Sequence, residues 1–307
     1  MATTQGAAPR VFDAGIEDIK TFMADCTYEA TRPSADDIAA LKAALAPGSA
    51  VYVTMLPHRP TDELLASAIA LRAAGLKPVP HVSVRHFESL AAIEKFLVSV
   101  VTQAHVDDIL LIGGDTAKPV GSVADVLSVI ESGVLRNAGV KSAGVAGFPD
   151  GHPVVSEDVI EASLVTKLAA LQNAEIDGYI VTQFCFHAQT IIRWFEWLRG
   201  RGIQSHVKVG LAGPTSLMTW LNYARKCGVK ASAEALASRS GLVKHAFKSV
   251  APDPIIRTLA GAAAAGHIGE ASPHLFAFGG IGATAKWAQP AIAGKIKLNR
   301  DGGFDPA

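Results

Sequence analysis

Three features of the sequence predict a single-domain α/β protein with a (β/α)8 TIM barrel fold. Eight short segments rich in β-branched residues alternate with stretches of helical period, and no linker interrupts the 307 residues. A chain of this length holds one large α/β domain. An open doubly wound sheet is the alternative, but no Gly-x-Gly-x-x-Gly motif follows the first strand. We therefore expect residues 1–307 to form one barrel, with a loose tail at about 301–307.

The predicted strands are spaced so that a helix fits after each of them. The clearest strand is 108–115, a continuous apolar run that is typical of a strand buried on both faces. The helix after the second strand is expected to be capped by Thr61, to carry acidic residues in its first turn and to stop at Gly75. Further helices are predicted around 90–101, 123–132 and 191–198 and, as a long helical region, over 216–266. The predicted strands lie within 25–33, 49–55, 77–83, 108–115, 143–148, 178–184, 206–211 and 274–279.

The composition favours a small-molecule site over a site for nucleic acid or an anionic membrane. Lys and Arg total 28, and Asp and Glu total 28, so the chain builds no strong field of either sign. Apolar residues make up 49% of the chain, which supports a sizeable core. The three scattered cysteines are expected to be reduced and mostly buried. The N-terminus lacks a signal-peptide core and no apolar run reaches about 18 residues, so we expect a soluble, cytoplasmic protein.

Polar side chains mark the outgoing ends of the predicted strands, where parallel barrels place their chemistry. Each one alone has a structural explanation, as a satisfied core residue, a helix cap or a local backbone contact. Gln183 is harder to explain in this way, because an unpaired buried amide costs roughly 1–3 kcal/mol. Taken jointly, the set favours a functional site. Its members are Glu29, Thr54, His81, Asp115, Gln183 and, in the loop after the fifth strand, His152.

Other kinds of site find less support in the sequence. The histidines never fall at HxH or HxxxH spacing with a carboxylate partner, so no metal site is predicted. A serine hydrolase is not indicated, because the chain has no GxSxG motif. The glycines of 279–285 either cradle a phosphate before a helix or simply end the last strand.

Four segments carry a family resemblance. In chain order they are Tyr28-Glu29 on the first strand, 112–115 (IGGD) on the fourth, 147–153 (GFPDGHP) after the fifth and 181–186 (VTQFCF) on the sixth. Together they resemble the 5,10-methylenetetrahydrofolate reductases of the bacterial single-domain type. The GFPDGHP and TQFCF segments are the specific ones, and the resemblance covers residues 20–290.

The resemblance implies a flavoprotein barrel that interconverts methylene- and methyl-tetrahydrofolate through bound FAD in one-carbon metabolism. Glu29 matches the family's general acid, which protonates N10 of the folate and so helps to open the imidazolidine ring. An acid in this role needs a raised pKa, which desolvation at an apolar mouth would supply. Asp115 matches a carboxylate near pterin and flavin, and Gln183 matches an amide that hydrogen-bonds the folate. The positions that match FAD contacts are Thr54, His81, Gly114, Asp115, Phe148 and His152, with Glu161 and Lys167 as further contacts.

Three segments depart from the family pattern. Gly113 stands where the family has an arginine, which removes one cation from the flavin or folate environment. Leu217 replaces an aromatic ring on which the folate and the nicotinamide donor stack in turn. The last strand runs into Gly279 and Gly280, without the arginine expected near the folate tail. NAD(P)H is the family's hydride donor, and these departures leave the donor of this chain open.

The same departures keep a second function open, that of a folate-binding barrel acting in methyl transfer or binding without flavin redox chemistry. The direction of the reductase reaction is also open, since an enzyme does not alter an equilibrium. Outer helices carrying Trp194 and Trp197 pack either internally or against a second copy, so a homo-oligomer is a further alternative.

Overall fold

A closed barrel of eight parallel strands forms the centre of the molecule, in a computed structural model that describes residues 12–116, 118–226 and 249–307. Helices alternate with the barrel strands along the chain, which confirms the predicted (β/α)8 barrel. The strands are β1 Thr27–Ala30, β2 Ala50–Val53, β3 Lys77–Ser83, β4 Asp108–Ile112, β5 Ser142–Gly147, β6 Asp177–Thr182, β7 Val207–Ala212, β8 Thr215–Ser216, β9 Ser249–Val250, β10 Ala271–Phe276, β11 Ile296–Leu298 and β12 Phe304–Pro306.

The order around the barrel follows the chain, and β10 closes it between β7 and β1. All eight pairings are parallel, so the carboxyl ends of the barrel strands meet at one mouth. The register aligns Thr27 of β1 with His274 of β10, and Glu29 with Phe276. Polar residues that are far apart in the sequence are brought to this mouth by the topology.

Helices cover the outside of the barrel, and local signals fix some of their starts. They are α1 Ile16–Met23, α2 Ala35–Ala44, α3 Thr61–Ala73, α4 Leu90–Ala104, α5 Val126–Glu131, α6 Val134–Ala138, α7 Glu157–Asn173, α8 Ala188–Gly200, α9 Leu217–Lys226, α10 Asp253–Ala264 and α11 Ile281–Ile292. Ser34 caps α2 by accepting a hydrogen bond from the backbone N–H of Asp37, whose carboxylate accepts from the N–H of Ser34 in return. In α3 Thr61 is the first helical residue and Pro60 holds the cap position, so Thr61 is not the cap that the sequence suggests.

A hydrogen-bonded chain of polar side chains closes the amino end of the barrel interior. The hydroxyls of Tyr52 and Tyr179 lie 2.8 Å apart, and Tyr179 also donates to Asp108 Oδ1 at 2.8 Å. Lys77 Nζ lies 3.4 Å from Asp108 Oδ2, and both residues begin their strands. Gly144 makes room for this packing, because a Cβ there would lie 2.7 Å from the Tyr179 ring. The amino end of the barrel interior is therefore filled by protein side chains.

The C-terminal segment differs from the loose tail that the sequence predicts. Residues of β11 and β12 pair antiparallel, with Leu298 opposite Phe304. The Phe304 side chain is buried and stacks on Trp287, with ring centroids 5.9 Å apart, and its backbone N–H donates to Asp253. The buried ring of Phe304 and the hydrogen bonds that Arg257 donates to the carbonyls of Asn299 and Gly303 hold the tail against the outer helices.

Two further predictions are modified by the structure. The last barrel strand begins at Ala271 and ends at Phe276, three residues earlier than predicted, so His274 lies inside the strand. The sequence does not predict this start because of Pro273, since proline is disfavoured inside a central strand. Within the predicted helical region 216–266, helices cover Leu217–Lys226 and Asp253–Ala264, and Ser249–Val250 pairs with Thr215–Ser216. The rest of that prediction, over 227–248, lies outside the described residues.

Across the described part of the chain, no helix is long and apolar enough to cross a membrane.

Candidate active site at the carboxyl end of the barrel

Glu29 lies at the barrel mouth, enclosed by polar groups from three strands. Its carboxylate accepts a hydrogen bond from the Thr54 hydroxyl at 3.3 Å and lies 3.4 Å from His274 Nε2. His81 Nε2 approaches the same oxygen, Oε2, to 3.4 Å. The exposed fraction of the Glu29 side chain is only 13%, and those of His81 and His274 are 5% and 0%. The sequence predicts Glu29, Thr54 and His81 as site residues, and the structure brings all three into contact.

The electrostatics of Glu29 differ from the sequence expectation. Burial raises the pKa of its carboxyl group, but the electrostatic interaction with His81 and the hydrogen bond from His274 outweigh burial, so the pKa ends below its usual value. The expected desolvation is present, and the two imidazoles outweigh it. Burial also lowers the pKa of His81, more than the neighbouring Glu29 raises it. In the folded protein Glu29 is therefore an ionised carboxylate at neutral pH.

Thr54 makes hydrogen bonds both to the neighbouring strand, through its backbone, and to Glu29, through its side chain. Its N–H donates to the carbonyl of Ala30 at 3.1 Å and so extends the ladder between β1 and β2 by one residue. Its hydroxyl donates to Glu29 and accepts a hydrogen bond from Thr31 at 3.3 Å. A residue next to the strand end thus fixes one side of the Glu29 carboxylate.

The segment after β4 forms a tight turn against the turn after β3. Gly114 has φ +92°, and a Cβ there would lie 3.1 Å from His86 Nε2, so glycine is needed for both conformation and space. Asp115 is largely exposed and its Oδ1 lies 3.3 Å from His86 Nε2. Arg85 lies beside Gly113, where an added Cβ would be 3.9 Å from Arg85 Cδ. Asp115 is at the mouth, but the contact it makes is with His86 and not with Glu29.

The loop after β5 and the end of β6 complete the mouth. Phe148 and His152 meet edge to face, with ring centroids 5.2 Å apart, and His152 Nδ1 accepts from the N–H of Val154. Burial lowers the pKa of His152. Gln183 Oε1 accepts from the N–H of Phe184 at 3.0 Å. The local bond fixes the amide of Gln183 through its oxygen and leaves its NH₂ group as a donor for a ligand.

Three of the predicted site residues make other contacts. Leu217 is buried at the start of α9, with 5% of its surface exposed. Glu161 Oε2 lies 3.3 Å from an Nη of Arg201, which follows α8. Burial lowers the pKa of Lys167, while nearby Asp125 raises it. The structure therefore does not bring these three side chains together with Glu29.

Two groups of residues at the mouth are absent from the sequence prediction. Thr27 and His274 face the barrel interior beside Glu29, and an alternation of polar and apolar residues along β1 and β10 is the signal that could have found them. The second group is an aromatic cluster on β10, α9 and the segments after β6 and β10, in which Phe186 meets Trp220 and Tyr223 stacks on Phe278 at 3.9 Å. We call it the mouth aromatic cluster, and it consists of Phe184, Phe186, Trp220, Tyr223, Phe276 and Phe278.

Buried polar atoms without hydrogen-bond partners collect around this mouth. Among the described residues they include both ring nitrogens of His81, Nδ1 of His86, Oγ1 of Thr116 and Nε2 of His187. An unmet buried donor or acceptor costs about 1–3 kcal/mol, so such a concentration fits a polar ligand or bound water. A flavin, with ring nitrogens and carbonyl oxygens on a flat apolar body, has the chemistry to satisfy these groups. In the same described residues, no cluster of three or more His, Cys, Asp or Glu side chains could hold a metal ion.

No known protein-family profile matches this chain. Among solved structures, the chain is similar to an uncharacterized protein from Clostridium thermocellum that binds two copies of 5-methyl-5,6,7,8-tetrahydrofolic acid. That likeness covers 90% of this chain and 98% of the other, with a TM-score of 0.58 and 11% identity. A dihydropteroate synthase (FolP) from Thermus thermophilus is more distant, with a TM-score of 0.46 and 12% identity over 90% of this chain and 96% of the other.

At 11% identity the first likeness shows a shared fold. The class of protein that fold and site define is a (β/α)8 barrel with a candidate ligand site at its carboxyl-end mouth.

Proposed function

We propose that this protein is a flavin-dependent oxidoreductase that interconverts 5,10-methylenetetrahydrofolate and 5-methyltetrahydrofolate. The observation that carries the proposal is the enclosure of Glu29 by His81, His274 and Thr54 at the mouth. A buried carboxylate in contact with two imidazoles is an expensive arrangement, typical of acid–base chemistry. The methyltetrahydrofolate bound by the Clostridium thermocellum protein supports a folate as the ligand of this fold.

Glu29 is assigned the proton transfer at N10 of the folate. In the forward direction it gives a proton to N10, the bond between N10 and the bridging carbon breaks, and the electron pair stays on N10. The bridging carbon is left as an N5 iminium cation, and the exposed carboxylate of Asp115 favours that charge electrostatically. The NH₂ group of Gln183 donates to the folate ring system. All of these residues lie at the mouth.

FAD would be held on the β2 to β5 side of the mouth. When bound, it would supply the hydride chemistry that protein side chains lack. The unpaired Nδ1 atom of His81 supports this placement, as does the close turn at Gly114. Residues assigned to FAD are Thr54, His81, Gly114, Asp115, Phe148 and His152, with Glu161 and Lys167 on α7 as outer contacts.

The hydride donor is proposed to be NADH or NADPH, bound beside the mouth aromatic cluster and not on Leu217. Leu217 is buried, whereas Trp220 and Tyr223 lie one and two turns further along α9 and present rings at the mouth. A flat ring gains about 0.5–1.5 kcal/mol from stacking on an aromatic side chain. Anaerobic mixing with either nucleotide, followed at the flavin absorbance maximum, tests this, and no reduction by either would point to a different donor.

An absorbance spectrum and a folate titration test the proposed function. The purified protein is expected to bind FAD, and methyltetrahydrofolate is expected to bleach the flavin absorbance under anaerobic conditions. A protein that is colourless, takes up no added FAD and binds no folate would overturn the proposal.

A folate-binding barrel without flavin redox chemistry is the second candidate. The likeness to a methyltetrahydrofolate-binding barrel supports it independently of any flavin. Its signature is tight binding of methyltetrahydrofolate by a protein that takes up no FAD, measured by calorimetry and by absorbance on the same preparation.

A further inference from the structure

His274 and Thr27 form a hydrogen-bonded row with Glu29. The Nδ1 atom of His274 lies 2.9 Å from the Thr27 hydroxyl oxygen, and Nε2 lies 3.4 Å from Glu29 Oε2. Thr27 is the in-register partner of His274 on the neighbouring strand, and Thr27 and Glu29 are two residues apart on the same face of β1. His274 is fully buried. The backbone of the barrel therefore fixes both ends of this imidazole.

The two imidazoles beside Glu29, those of His81 and His274, differ in whether they can carry a second proton. Each ring nitrogen of His274 faces an oxygen that can accept a hydrogen bond, so the ring can carry two protons. Both ring nitrogens of His81 lack hydrogen-bond partners among the described residues, although Nε2 is near Glu29. A buried imidazolium without such partners is strongly disfavoured. His274 is thus the one of the two that is built to be cationic.

We propose that His274 is the proton partner of Glu29 and that Thr27 positions it for this role. The inference rests on the proposed function, in which Glu29 protonates the folate. At rest the pair is a Glu29 carboxylate and a His274 imidazolium. The Nε2 proton moves to Glu29 Oε2, Glu29 passes a proton to N10, and the N10–carbon bond breaks with its electron pair left on nitrogen. The pair ends with a carboxylate and a neutral imidazole, and after the product leaves a solvent proton returns to His274 through Glu29, the partly exposed member of the pair.

This arrangement explains how an ionised carboxylate can act as an acid. The lowered pKa of Glu29 means that the carboxyl group does not store a proton near neutral pH. A neighbouring imidazolium stores it one hydrogen bond away, and the barrel interior keeps both groups out of bulk water. The groups that face this pair are Thr27 from β1, Tyr52 from β2, Thr54 after β2, His81 from β3 and Phe276 from β10.

Nitrogen NMR of ¹⁵N-histidine-labelled protein tests the pair without any folate or flavin. At pH 7.5 the His274 signals, assigned by their loss in H274Q, are expected to show two protonated ring nitrogens. In E29Q they should show a neutral ring, because the carboxylate that favours the cation is gone. A neutral His274 ring in the native protein at pH 7.5 would overturn the inference, whatever the activity of the protein.

Thr27 supplies a matched pair of variants for the positioning role. Thr27→Val removes the hydroxyl at nearly constant volume and should slow flavin reoxidation by methylenetetrahydrofolate about 10- to 100-fold, with a shifted pH profile. Thr27→Ser keeps the hydroxyl and should retain the native profile. Equal rates and profiles in the two variants would overturn the role of Thr27. A protonated His274 in a protein without folate turnover would overturn the proposed function and leave the proton pair standing.

Discussion

At the scale of single residues, the sign of a pKa shift at the mouth is decided by the neighbours and not by burial alone. Burial by itself raises the pKa of Glu29, yet the pKa is lowered overall because His81 and His274 lie 3.4 Å from its carboxylate. Sequence patterns reveal the carboxylate and the apolar strand around it. They do not reveal His274, which reaches Glu29 only after the barrel closes.

Gly114 provides a prediction at the scale of one residue, because both its positive φ and the lack of space around it require glycine. Both Gly114→Ala and Gly75→Ala place a side chain at positive φ, which costs about 1–2 kcal/mol of unfolding free energy. Only Gly114→Ala also crowds its neighbours, since a Cβ there would be 3.1 Å from His86 and 3.2 Å from Ser83, whereas nothing lies within 4 Å at Gly75. Urea denaturation of both variants should show the larger loss for Gly114→Ala. An equal loss of unfolding free energy in the two variants would mean that the turn after β4 can accommodate a Cβ at Gly114.

At the scale of elements, strand and helix positions follow from local pattern, while their ends depend on long-range pairing. The Ser34 capping box marks the start of α2 in the sequence itself. By contrast, β10 begins before Pro273 because β7 pairs with it from Ala271 onward, whereas β1 joins it only at His274, and no local signal records either pairing. The C-terminal hairpin likewise depends on Phe304 meeting Trp287 on α11.

The hairpin yields an element-scale prediction. Phe304→Ala removes a buried ring and is expected to lower the unfolding free energy by about 3 kcal/mol, near the lower end for such truncations because the site is close to the chain end. Leu298→Ala, opposite Phe304 in the same hairpin but 39% exposed, should cost about 0.5 kcal/mol. Chemical denaturation distinguishes the two. A neutral Phe304→Ala variant would restore the view of residues 301–307 as a loose tail.

At the scale of the whole molecule, stability is expected to fall as the solution is acidified below neutral pH. Burial lowers the pKa of His81 and of His206 in the folded protein. Below about pH 6.5 the unfolded chain therefore binds protons that the folded protein refuses, and the equilibrium moves toward unfolding. Glu29 acts in the same direction at lower pH. Its carboxylate contributes its full stabilisation above the pKa that Glu29 has in the unfolded chain, and this stabilisation is lost as the pH falls through the lowered pKa of the folded protein.

Urea unfolding at pH 7.5, 6.0 and 5.0 measures this dependence. The free energy of unfolding should decrease at each step, and His206→Gln should flatten the first part of the decline. A decline that is equally steep in His206→Gln would contradict the assignment of His206 as neutral in the folded state.

Much of the molecule could be predicted from its sequence, because strand and helix periods are local patterns. Contacts between strands are not local, and they could not be predicted. The alternation of strand and helix periods defines the barrel, and the parallel arrangement then gathers Glu29, Thr54 and His81 at one end. Contacts between side chains on neighbouring strands are decided by register, which local patterns do not encode. Alternation along β1 and β10 can place Thr27 and His274 on the inner face, but their contact with each other belongs to this second kind. So do the mouth aromatic cluster and the partners of Glu161 and Lys167.

The central claim, that Glu29 is the proton donor of a folate redox site, is tested most directly by single-turnover reoxidation. The FAD-loaded protein is reduced by light, mixed anaerobically with methylenetetrahydrofolate and followed at the flavin absorbance maximum, which leaves the natural donor out of the measurement. Glu17→Gln, which removes an exposed carboxylate 3.0 Å from Lys20, is the matched control. The account predicts that Glu29→Gln retains FAD and slows reoxidation by about 100-fold or more, while Glu17→Gln matches the native rate. Reoxidation of Glu29→Gln at the native rate would contradict it.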